Sequence, residues 1–279
     1  MPTGTLYVVA TPIGNLGDLS PRAAEILRSV RAVAAEDTRR TLQLFAHLGA
    51  PAPVMISLPA FDERGRSGAV LARLAAGEDV ALCTDAGTPG VSDPGQQLVE
   101  AAWEVGARVV PVPGPCAAVA ALAASGLASD RFFVQGFLPR KGGGRAEALE
   151  LLRRVPATIV LYEAGNRTGE TLRELAAVLG DRPAAVAREL TKLHEEIARG
   201  PLSALAERFA DGARGEVTLV VAGASAEAPP EPPPEPLEDE LRRRMAAGEP
   251  PSGIARDVAK ARGLKRAEVY DALERLKHG

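Results

Sequence analysis

The chain has 279 residues, of which 46% are hydrophobic and 25% are charged, and its formal net charge is −3. The length predicts about two domains, the composition is typical of a globular protein, and the acidic balance excludes a protein that binds nucleic acid by overall positive charge. Two cysteines make no disulfide framework, no signal peptide is recognisable at the start, and no apolar run approaches the roughly 18 residues of a membrane span, so we expect a protein of the reducing cytoplasm.

The first half of the chain alternates short apolar runs with helical patterns. The predicted strands are Leu6 to Ala10, Ala32 to Ala35, Val54 to Leu58, Val80 to Thr84 and Val109 to Val112. Helices are predicted at Ser20 to Arg31, Gly68 to Ala76 and Gln96 to Val105. A further helix is predicted between its cap, Asp37, and its stop, Gly49, with Leu42, Phe45 and Leu48 on one face. Strands that alternate with helices indicate parallel βαβ units, so the predicted fold class is α/β with a parallel sheet covered on both faces.

Beyond Gly126 the pattern predicts a second sheet of another kind. Its strands are predicted at Phe132 to Phe137, Thr158 to Tyr162, Ala184 to Arg188, Glu195 to Ala198 and Val217 to Val221, and its helices at Arg145 to Arg154, Thr168 to Leu179 and Leu202 to Phe209. The strand at Glu195 follows the preceding strand by too few residues for a helical crossover. We therefore expect a mixed sheet in this half.

A proline-rich segment at residues 226–236 predicts an extended, semi-rigid linker. After it, Ser252 is predicted to cap a helix that places Ile254, Val258 and Ala261 on one face, and a second helix runs from Lys265 to Leu276. This pair resembles a helix-turn-helix, which leaves open either nucleic-acid contact or a packing appendage. The predicted organisation is an N-terminal domain at 1–114, a C-terminal domain at 115–225, a linker at 226–236 and a helical tail at 237–279.

Three loops rich in glycine and proline follow three of the predicted strands, at Thr11 to Asp18, Asp85 to Gly95 and Pro111 to Ala117. Open α/β sheets bind their ligands at the carboxyl ends of strands, so we expect the loops on one rim around a ligand. Their charged residues are Asp18, Asp85 and Asp93, which suits a cationic ligand such as S-adenosylmethionine better than a polyphosphate. Asp93 and Pro94 are also predicted to cap the helix that follows.

Six segments resemble the signature blocks of one family, the bacterial ribosomal RNA small subunit methyltransferase I proteins of the tetrapyrrole-methylase superfamily. They are Thr11 to Asp18, Ala35 to Arg39, Asp85 to Gly95, Pro113 to Pro115, Gly136 to Lys141 and Arg188 to Glu195. The resemblance extends from about Gly4 to Ala224. It implies a two-domain, tetrapyrrole-methylase-like α/β enzyme that binds S-adenosylmethionine between its domains. It also implies a homodimer that methylates the 2′-hydroxyl of a cytidine ribose in the decoding centre of 16S rRNA, in the small ribosomal subunit.

The resemblance, together with the rim position of the loops, predicts the cofactor-binding residues. They are Pro12, Gly14, Asp85, Gly87, Gly90, Val91, Ser92, Pro115, Cys116, Ala117, Tyr162 and Leu190. Methyl transfer to an alcohol requires removal of the hydroxyl proton, and the candidate proton acceptors are Glu36, Asp37, Glu189 and His194. The sequence does not choose among these four, since Asp37 also reads as a helix cap and a lone histidine is more often structural. No metal site is predicted.

The predicted RNA contacts are basic residues near strand ends: Arg39, Arg140, Lys141 and Arg145. Two alternatives keep the cofactor and change the substrate, to a tetrapyrrole or to a modified protein histidine. A third is a non-catalytic ribosome-binding relative, because the family usually has histidines near Leu58 to Glu63 and after Glu163, where this chain has none. A nicotinamide oxidoreductase is disfavoured, because no Gly-x-Gly-x-x-Gly opens a helix after the first strand.

Overall fold

A computed structural model describes residues 3–59, 62–224 and 235–278. The chain divides into two compact units, Met1–Ser225 and Ala226–Gly279. The first unit contains two five-stranded sheets, which fall on either side of the boundary predicted at residue 114. Division of this unit into separate domains stays a prediction.

The first sheet is entirely parallel, with strand order β3-β2-β4-β1-β5, as the alternating pattern predicts. Its strands are β1 (Thr5–Val9), β2 (Ala32–Ala35), β3 (Val54–Ser57), β4 (Val80–Cys83) and β5 (Arg108–Val112). The helices are α1 (Pro21–Ser29), α2 (Thr38–His47), α3 (Glu63–Ala75) and α4 (Gln96–Glu104). Apolar residues of α1 and α2 bury one face of the sheet, and those of α3 and α4 bury the other. Strands β2 and β4 are short, aliphatic and completely buried, which is typical of a parallel sheet.

The second sheet is mixed, with strand order β6-β7-β10-β8-β9, and only β6 and β7 are parallel. Its strands are β6 (Phe132–Phe137), β7 (Thr158–Ala164), β8 (Pro183–Arg188), β9 (Glu196–Pro201) and β10 (Glu216–Val221). Its helices are α5 (Ala117–Ser125), α6 (Gly143–Arg153), α7 (Thr168–Leu179) and α8 (Leu202–Arg208). Helix α5 packs on one face, and α6 to α8 pack on the other. The predicted mixed sheet is confirmed, and β8 and β9, which no helix separates, pair in antiparallel fashion.

Three helical predictions in the first unit were wrong or incomplete. On α2 the buried residues are Thr41, Leu44 and Phe45, while Leu42 is 38% exposed, so the predicted apolar face was displaced. Helix α3 begins at Glu63 rather than Gly68. Helix α5 was not predicted, because its sequence is almost all alanine, valine and leucine and has no polar face to give it a period.

The second unit consists of α9 (Leu237–Ala246), α10 (Pro251–Arg262) and α11 (Arg266–His278) around one apolar cluster. Helix α9 was not predicted. Ser252 lies inside α10, whose N-cap is Pro250, and Ala261 is exposed instead of facing the cluster, so both predictions were wrong. Most of the predicted linker, residues 226–234, lies outside the described residues. None of the described helices is long and apolar enough to cross a membrane.

Candidate active site

The three Gly/Pro loops meet at one rim of the first sheet, because they follow β4, β1 and β5, which are neighbours in the strand order. Backbone hydrogen bonds join the first two loops: the Thr11 N–H donates to the Gly87 oxygen over 2.8 Å, and the Gly87 N–H donates to the Thr11 oxygen over 3.0 Å. The Thr88 hydroxyl donates to the Pro115 oxygen over 3.2 Å and joins the third loop. Gly87 has a φ of +86°, a conformation that favours glycine.

The loop between β8 and β9 closes one side of this rim. Gly14 packs so tightly against it that a Cβ there would lie 2.7 Å from the Lys192 Cγ and 3.0 Å from the Leu190 oxygen. Glu189 and Thr191 in the same loop have positive φ values of 51° and 66°. Such backbone strain in non-glycine residues is concentrated at functional sites.

A cleft of about 560 Å³ lies between the rim and the second sheet, within the size range of small-ligand sites. Eight of the predicted cofactor-binding residues line it: Asp85, Gly87, Val91, Ser92, Cys116, Ala117, Tyr162 and Leu190. Four do not line it, namely Pro12, Gly14, Gly90 and Pro115. Of these, Pro115 accepts the hydrogen bond from Thr88 and Gly14 packs on the β8–β9 loop, so they shape the rim.

The second sheet contributes an aromatic and apolar wall to the cleft. The rings of Phe137 and Tyr162 lie with their centroids 5.5 Å apart, and Ala187 and Val217 continue the wall. Burial, with a smaller contribution from Cys116, raises the pKa of Tyr162 to about 12, so this phenol stays protonated. The cleft therefore has one side of loop backbone and carboxylates and another of apolar surface.

The structure contradicts the prediction that Asp93 caps α4. The N-cap position is held by Gly95, whose φ of 136° is open only to glycine, and no side chain of the flanking loop caps the helix. Instead, Glu63 at the start of α3, only 6% exposed, accepts a hydrogen bond from the Leu98 N–H over 2.9 Å. A residue 35 positions upstream thus satisfies the helix end, and Asp93 is left to the cleft.

Asp93 lies half-buried in the cleft and makes no hydrogen bond or ion pair with any of the described residues. Burial, followed by the nearby carboxylates of Glu36, Glu216 and Asp85 in that order, raises its pKa to about 7. Glu216, at the start of β10, was not singled out in the sequence, because nothing local marks it as part of a site on another sheet. A carboxyl group with such a pKa is a candidate for acid–base chemistry.

The four predicted proton acceptors occupy different surroundings. Glu36 lines the cleft, and burial, with a smaller effect of Asp85, raises its pKa. Asp37 caps α2 by accepting a hydrogen bond from the Arg39 N–H over 2.9 Å, and the hydrogen bond from the Arg39 guanidinium lowers its pKa to about 2. This engagement speaks against Asp37 as a base.

The other two predicted acceptors lie in or near the β8–β9 loop. Glu189 lines the cleft but pairs with the Lys192 ammonium at 2.9 Å, and that hydrogen bond lowers its pKa. His194 is exposed and does not line the cleft.

Two cations line the cleft that the loop sequences did not reveal. Arg40, in the first turn of α2, lies 3.4 Å from an oxygen of Asp85, whose other oxygen accepts a hydrogen bond from the Asp37 N–H over 3.0 Å. Lys192 enters from the β8–β9 loop. Each is more exposed than the carboxylate that it pairs with, Asp85 and Glu189 respectively. Positive charge therefore lies on the solvent side of the cleft, which we call its mouth, and these two carboxylates lie deeper.

The predicted RNA-contacting residues separate into two groups. Arg140 and Lys141 are exposed at the turn between β6 and α6, and Arg39 is 86% exposed beside Asp37. Arg145, in contrast, is only 6% exposed. Its guanidinium donates to Glu174 over 2.8 Å, to the Thr171 hydroxyl over 2.8 Å and to the Pro139 oxygen over 3.0 Å. Its donors are thus used inside the fold, which contradicts its prediction as an RNA contact.

Two further observations describe the chemistry available to the site. Among residues 3–59, 62–224 and 235–278, no group of three or more histidine, cysteine or acidic side chains is arranged to hold a metal ion. Cys83 and Cys116 are both free thiols. Burial raises the pKa of the Cys83 thiol to about 12, so it is unreactive.

Comparison with known proteins shows which family this chain resembles. The family model of Tetrapyrrole (Corrin/Porphyrin) Methylases matches residues 5–206. A ribosomal RNA small subunit methyltransferase I from Synechocystis sp. is 47% identical over 269 residues, which cover 96% of each chain. One from Pseudomonas aeruginosa is 50% identical over 279 residues, covering 95% of this chain and 99% of that protein.

A solved structure shares the fold at lower identity. It is the uroporphyrin-III C-methyl transferase from Thermus thermophilus complexed with S-adenyl homocysteine, with a TM-score of 0.56 and 22% identity, covering 78% of this chain and 97% of that one.

Proposed function

The chain belongs to the ribosomal RNA small subunit methyltransferase I family of tetrapyrrole methylases, and on that premise we propose that it methylates 16S rRNA with S-adenosylmethionine as the methyl donor. The names of the relatives support an rRNA substrate. The acceptor we propose is the 2′-hydroxyl of a cytidine ribose in the decoding centre. This finer assignment rests on the resemblance of the six sequence blocks.

The observation that carries the proposal is the acidic cleft at the rim of the parallel sheet. S-adenosylmethionine has a cationic sulfonium and ammonium beside an apolar adenine. The carboxylates of Glu36 and Asp85 match the cations, and the wall formed by Tyr162 and Leu190 matches the adenine. Gly87 lines the cleft and its backbone groups bond to Thr11, which fixes the rim against which the cofactor would lie. The residues present therefore fit this cofactor.

When bound, S-adenosylmethionine supplies an activated methyl group. The protein's own residues must hold the ribose oxygen in line, at about 3 Å from the methyl carbon, and alignment accounts for much of the rate. The rigid rim, in which three loops are hydrogen-bonded to one another, is suited to that task. Since the leaving thioether is neutral, no oxyanion hole is needed, and the remaining chemical task is to accept the hydroxyl proton.

We propose that RNA approaches over the positive groups around the mouth of the cleft. Arg40 and Lys192 line the mouth, and Arg140 and Lys141 are exposed beyond the end of β6, whose Phe137 lines the cleft. Phosphate contacts of this kind position RNA without reading its sequence. Local patches are required because the net charge of the whole chain is −3.

The remaining features of the proposal follow from the family. We propose that the protein acts as a homodimer in the cytoplasm, with residues 1–114 and 115–225 as two domains that enclose the cofactor and residues 237–279 as an accessory helical tail. Size-exclusion chromatography with light scattering gives the oligomeric state directly. A monomer at micromolar concentration would contradict the dimer.

The experiment that tests the function is methyl transfer from radiolabelled S-adenosylmethionine to small ribosomal subunits from a strain that lacks this gene. The label is mapped by primer extension that is sensitive to ribose methylation. We expect label on one cytidine ribose of the decoding centre. Label on a base, or no label although the cofactor binds, would contradict the proposed acceptor, and a tetrapyrrole or protein substrate would then be tested.

A further inference from the structure

Asp93 is set apart from the other acidic residues of the cleft by the way the loop after β4 is built. The Gly90 N–H donates to the Pro94 oxygen over 3.2 Å and closes a turn, and Ser92 within it has a positive φ of 63°. No side chain of this turn caps α4, and Glu63 accepts the Leu98 N–H at that helix end. A non-glycine residue held at positive φ costs energy, so the turn has a reason other than helix initiation.

Of the other carboxylates that line the cleft, Glu216 is exposed to solvent, and the remaining three have groups near them that stabilise their charge. Asp85 accepts the Asp37 N–H and faces Arg40, and Glu189 pairs with Lys192. The backbone of Asp85 and the Arg40 guanidinium lie close enough to Glu36 to oppose the rise in its pKa. Asp93 makes no hydrogen bond or ion pair within the part of the chain that the structure describes, and every group that acts on its pKa raises it. Its oxygens are therefore free to accept a proton from a substrate.

We propose that the Asp93 carboxylate is the catalytic residue that accepts the proton of the ribose 2′-hydroxyl during methyl transfer, an inference that rests on the proposed function. The hydroxyl oxygen forms a bond to the methyl carbon while the carbon–sulfur bond breaks, the sulfur retains that electron pair as a neutral thioether, and the hydroxyl proton passes to Asp93. One carboxylate and one sulfonium are consumed, and one carboxylic acid and one thioether are formed. No metal or further reactant is required.

The charge of the surroundings suits this role. A general base is most effective when its pKa lies near the working pH, and the pKa of Asp93 is raised to about 7, first by burial and then by neighbouring carboxylates. The charged and titratable groups that line the cleft with it are Glu36, Arg40, Asp85, Cys116, Tyr162, Glu189, Lys192 and Glu216. A bound sulfonium adds one positive charge and brings the pKa down, which favours the carboxylate when substrate is present.

The test combines activity with a binding measurement on the full-length protein. Single-turnover methyl transfer to small ribosomal subunits is measured between about pH 5 and pH 9 for the wild type, Asp93→Asn and Asp93→Glu. Affinity for S-adenosylhomocysteine, which lacks the methyl group and the sulfonium charge but keeps the ammonium, is measured by calorimetry. The matched control is Asp130→Asn, an exposed aspartate at the far end of β6.

For the wild type we expect a rate that rises about tenfold per pH unit below an apparent pKa of 7 or lower and then levels off. Asp93→Asn should lose a factor of about 100 or more in rate and lose the pH dependence, while its affinity for S-adenosylhomocysteine changes by less than about threefold. Asp93→Glu should keep part of the rate and the pH dependence, because it keeps a carboxylate at a displaced position. Asp130→Asn should match the wild type.

Three results would overturn the inference. The first is that Asp93→Asn retains the rate and pH profile of the wild type, and the second is that it retains the pH dependence at a lower rate; either would assign the proton to another group. The third is that the variant loses affinity for S-adenosylhomocysteine in proportion to the rate, which would make Asp93 a cofactor-binding residue. Failure of the proposed function is distinguishable, because then the wild type itself would not label the subunits.

Discussion

Two connections in the first sheet place an aspartate before a helix, and the structure uses them in opposite ways. Between β2 and α2, Asp37 caps the helix and pairs with Arg39, and its pKa is lowered to about 2. Between β4 and α4, Asp93 caps nothing, and its pKa is raised to about 7. The same residue type at a similar position is a structural group in one connection and a chemically available group in the other.

The difference lies in what else satisfies the helix end. The chain passes directly from Asp37 into α2, so the side chain reaches the first free N–H groups. After Asp93 the chain continues through Pro94 and Gly95 before α4 begins, and Glu63 from a different helix supplies the acceptor. Because Glu63, a residue distant in sequence, accepts an N–H at the start of α4, the Asp93 carboxylate stays at the ligand rim without a partner.

The largest expected effect concerns Asp85, which links the two connections through the Asp37 N–H. Asp85→Lys places a cation where a cationic cofactor is proposed to bind, so affinity for S-adenosylmethionine in calorimetry should fall by about 100-fold or more. Asp85→Asn, which keeps an acceptor for the Asp37 N–H, should lose only about tenfold. Unchanged affinity in the lysine variant would contradict the cofactor site.

A second prediction tests the distant cap. Glu63→Ala removes a buried acceptor from the α4 N-terminus, so the free energy of unfolding in urea should fall by about 2 kcal/mol. The matched control is Glu25→Ala, an exposed position on α1, which should change it by less than about 0.5 kcal/mol. Equal losses of unfolding free energy in the two variants would mean that the hydrogen bond from the Leu98 N–H to Glu63 does not stabilise the fold.

A third prediction separates the function of Asp93 from its effect on stability. Since the folded protein raises the pKa of Asp93 from its ordinary range to about 7, folding favours the protonated form, and stability is lost as the pH rises from about 4 to 7. Asp93→Asn should therefore be more stable than the wild type at pH 8, by on the order of 1 kcal/mol after allowance for solvent screening, and should show no such gain near pH 4. A less stable variant at pH 8 would refute this environment for Asp93.

The smallest effect, of opposite sign, is expected at Asp37. Its pKa is lowered by Arg39, so its contribution to stability is present above the ordinary aspartate pKa and is lost as the pH falls from about 4 to 2. Asp37→Asn should be slightly less stable than the wild type in thermal melts at pH 7, and the two should converge at pH 2. A difference that persists at pH 2 would point to lost packing rather than lost charge.

The sequence predicted the strands and the two sheet types well, because short apolar runs between glycine and proline signals carry that information locally. It also predicted that the three Gly/Pro loops share one rim, because they follow strands that become neighbours in the first sheet. The sequence did not predict helix α5, because its residues are almost all apolar and show no helical period. The predicted apolar face of α2 is displaced, because Leu42 is exposed while Thr41 and Leu44 are buried.

The failures at the site have a common physical cause. Asp93 was assigned to the α4 cap because the local pattern fits, and only the three-dimensional structure shows that Glu63 occupies that role. Arg145 was assigned to RNA because it follows a basic, glycine-rich loop, whereas its guanidinium is used by Glu174 and Thr171. Glu216 approaches the cleft from the second sheet and carries no local signal. Long-range partners decide what a polar side chain is free to do.

The most direct test of this account is a measurement of the two aspartate pKa values in the ligand-free protein. Aspartate labelled with ¹³C at the carboxyl group is titrated by NMR, and the resonances are assigned with Asp93→Asn and Asp37→Asn. We predict a midpoint near 7 for Asp93 and near 2 for Asp37. If Asp93 titrated near 4, the carboxylate would be solvated or partnered, and the proposed proton acceptor would have to be sought among the other groups of the cleft.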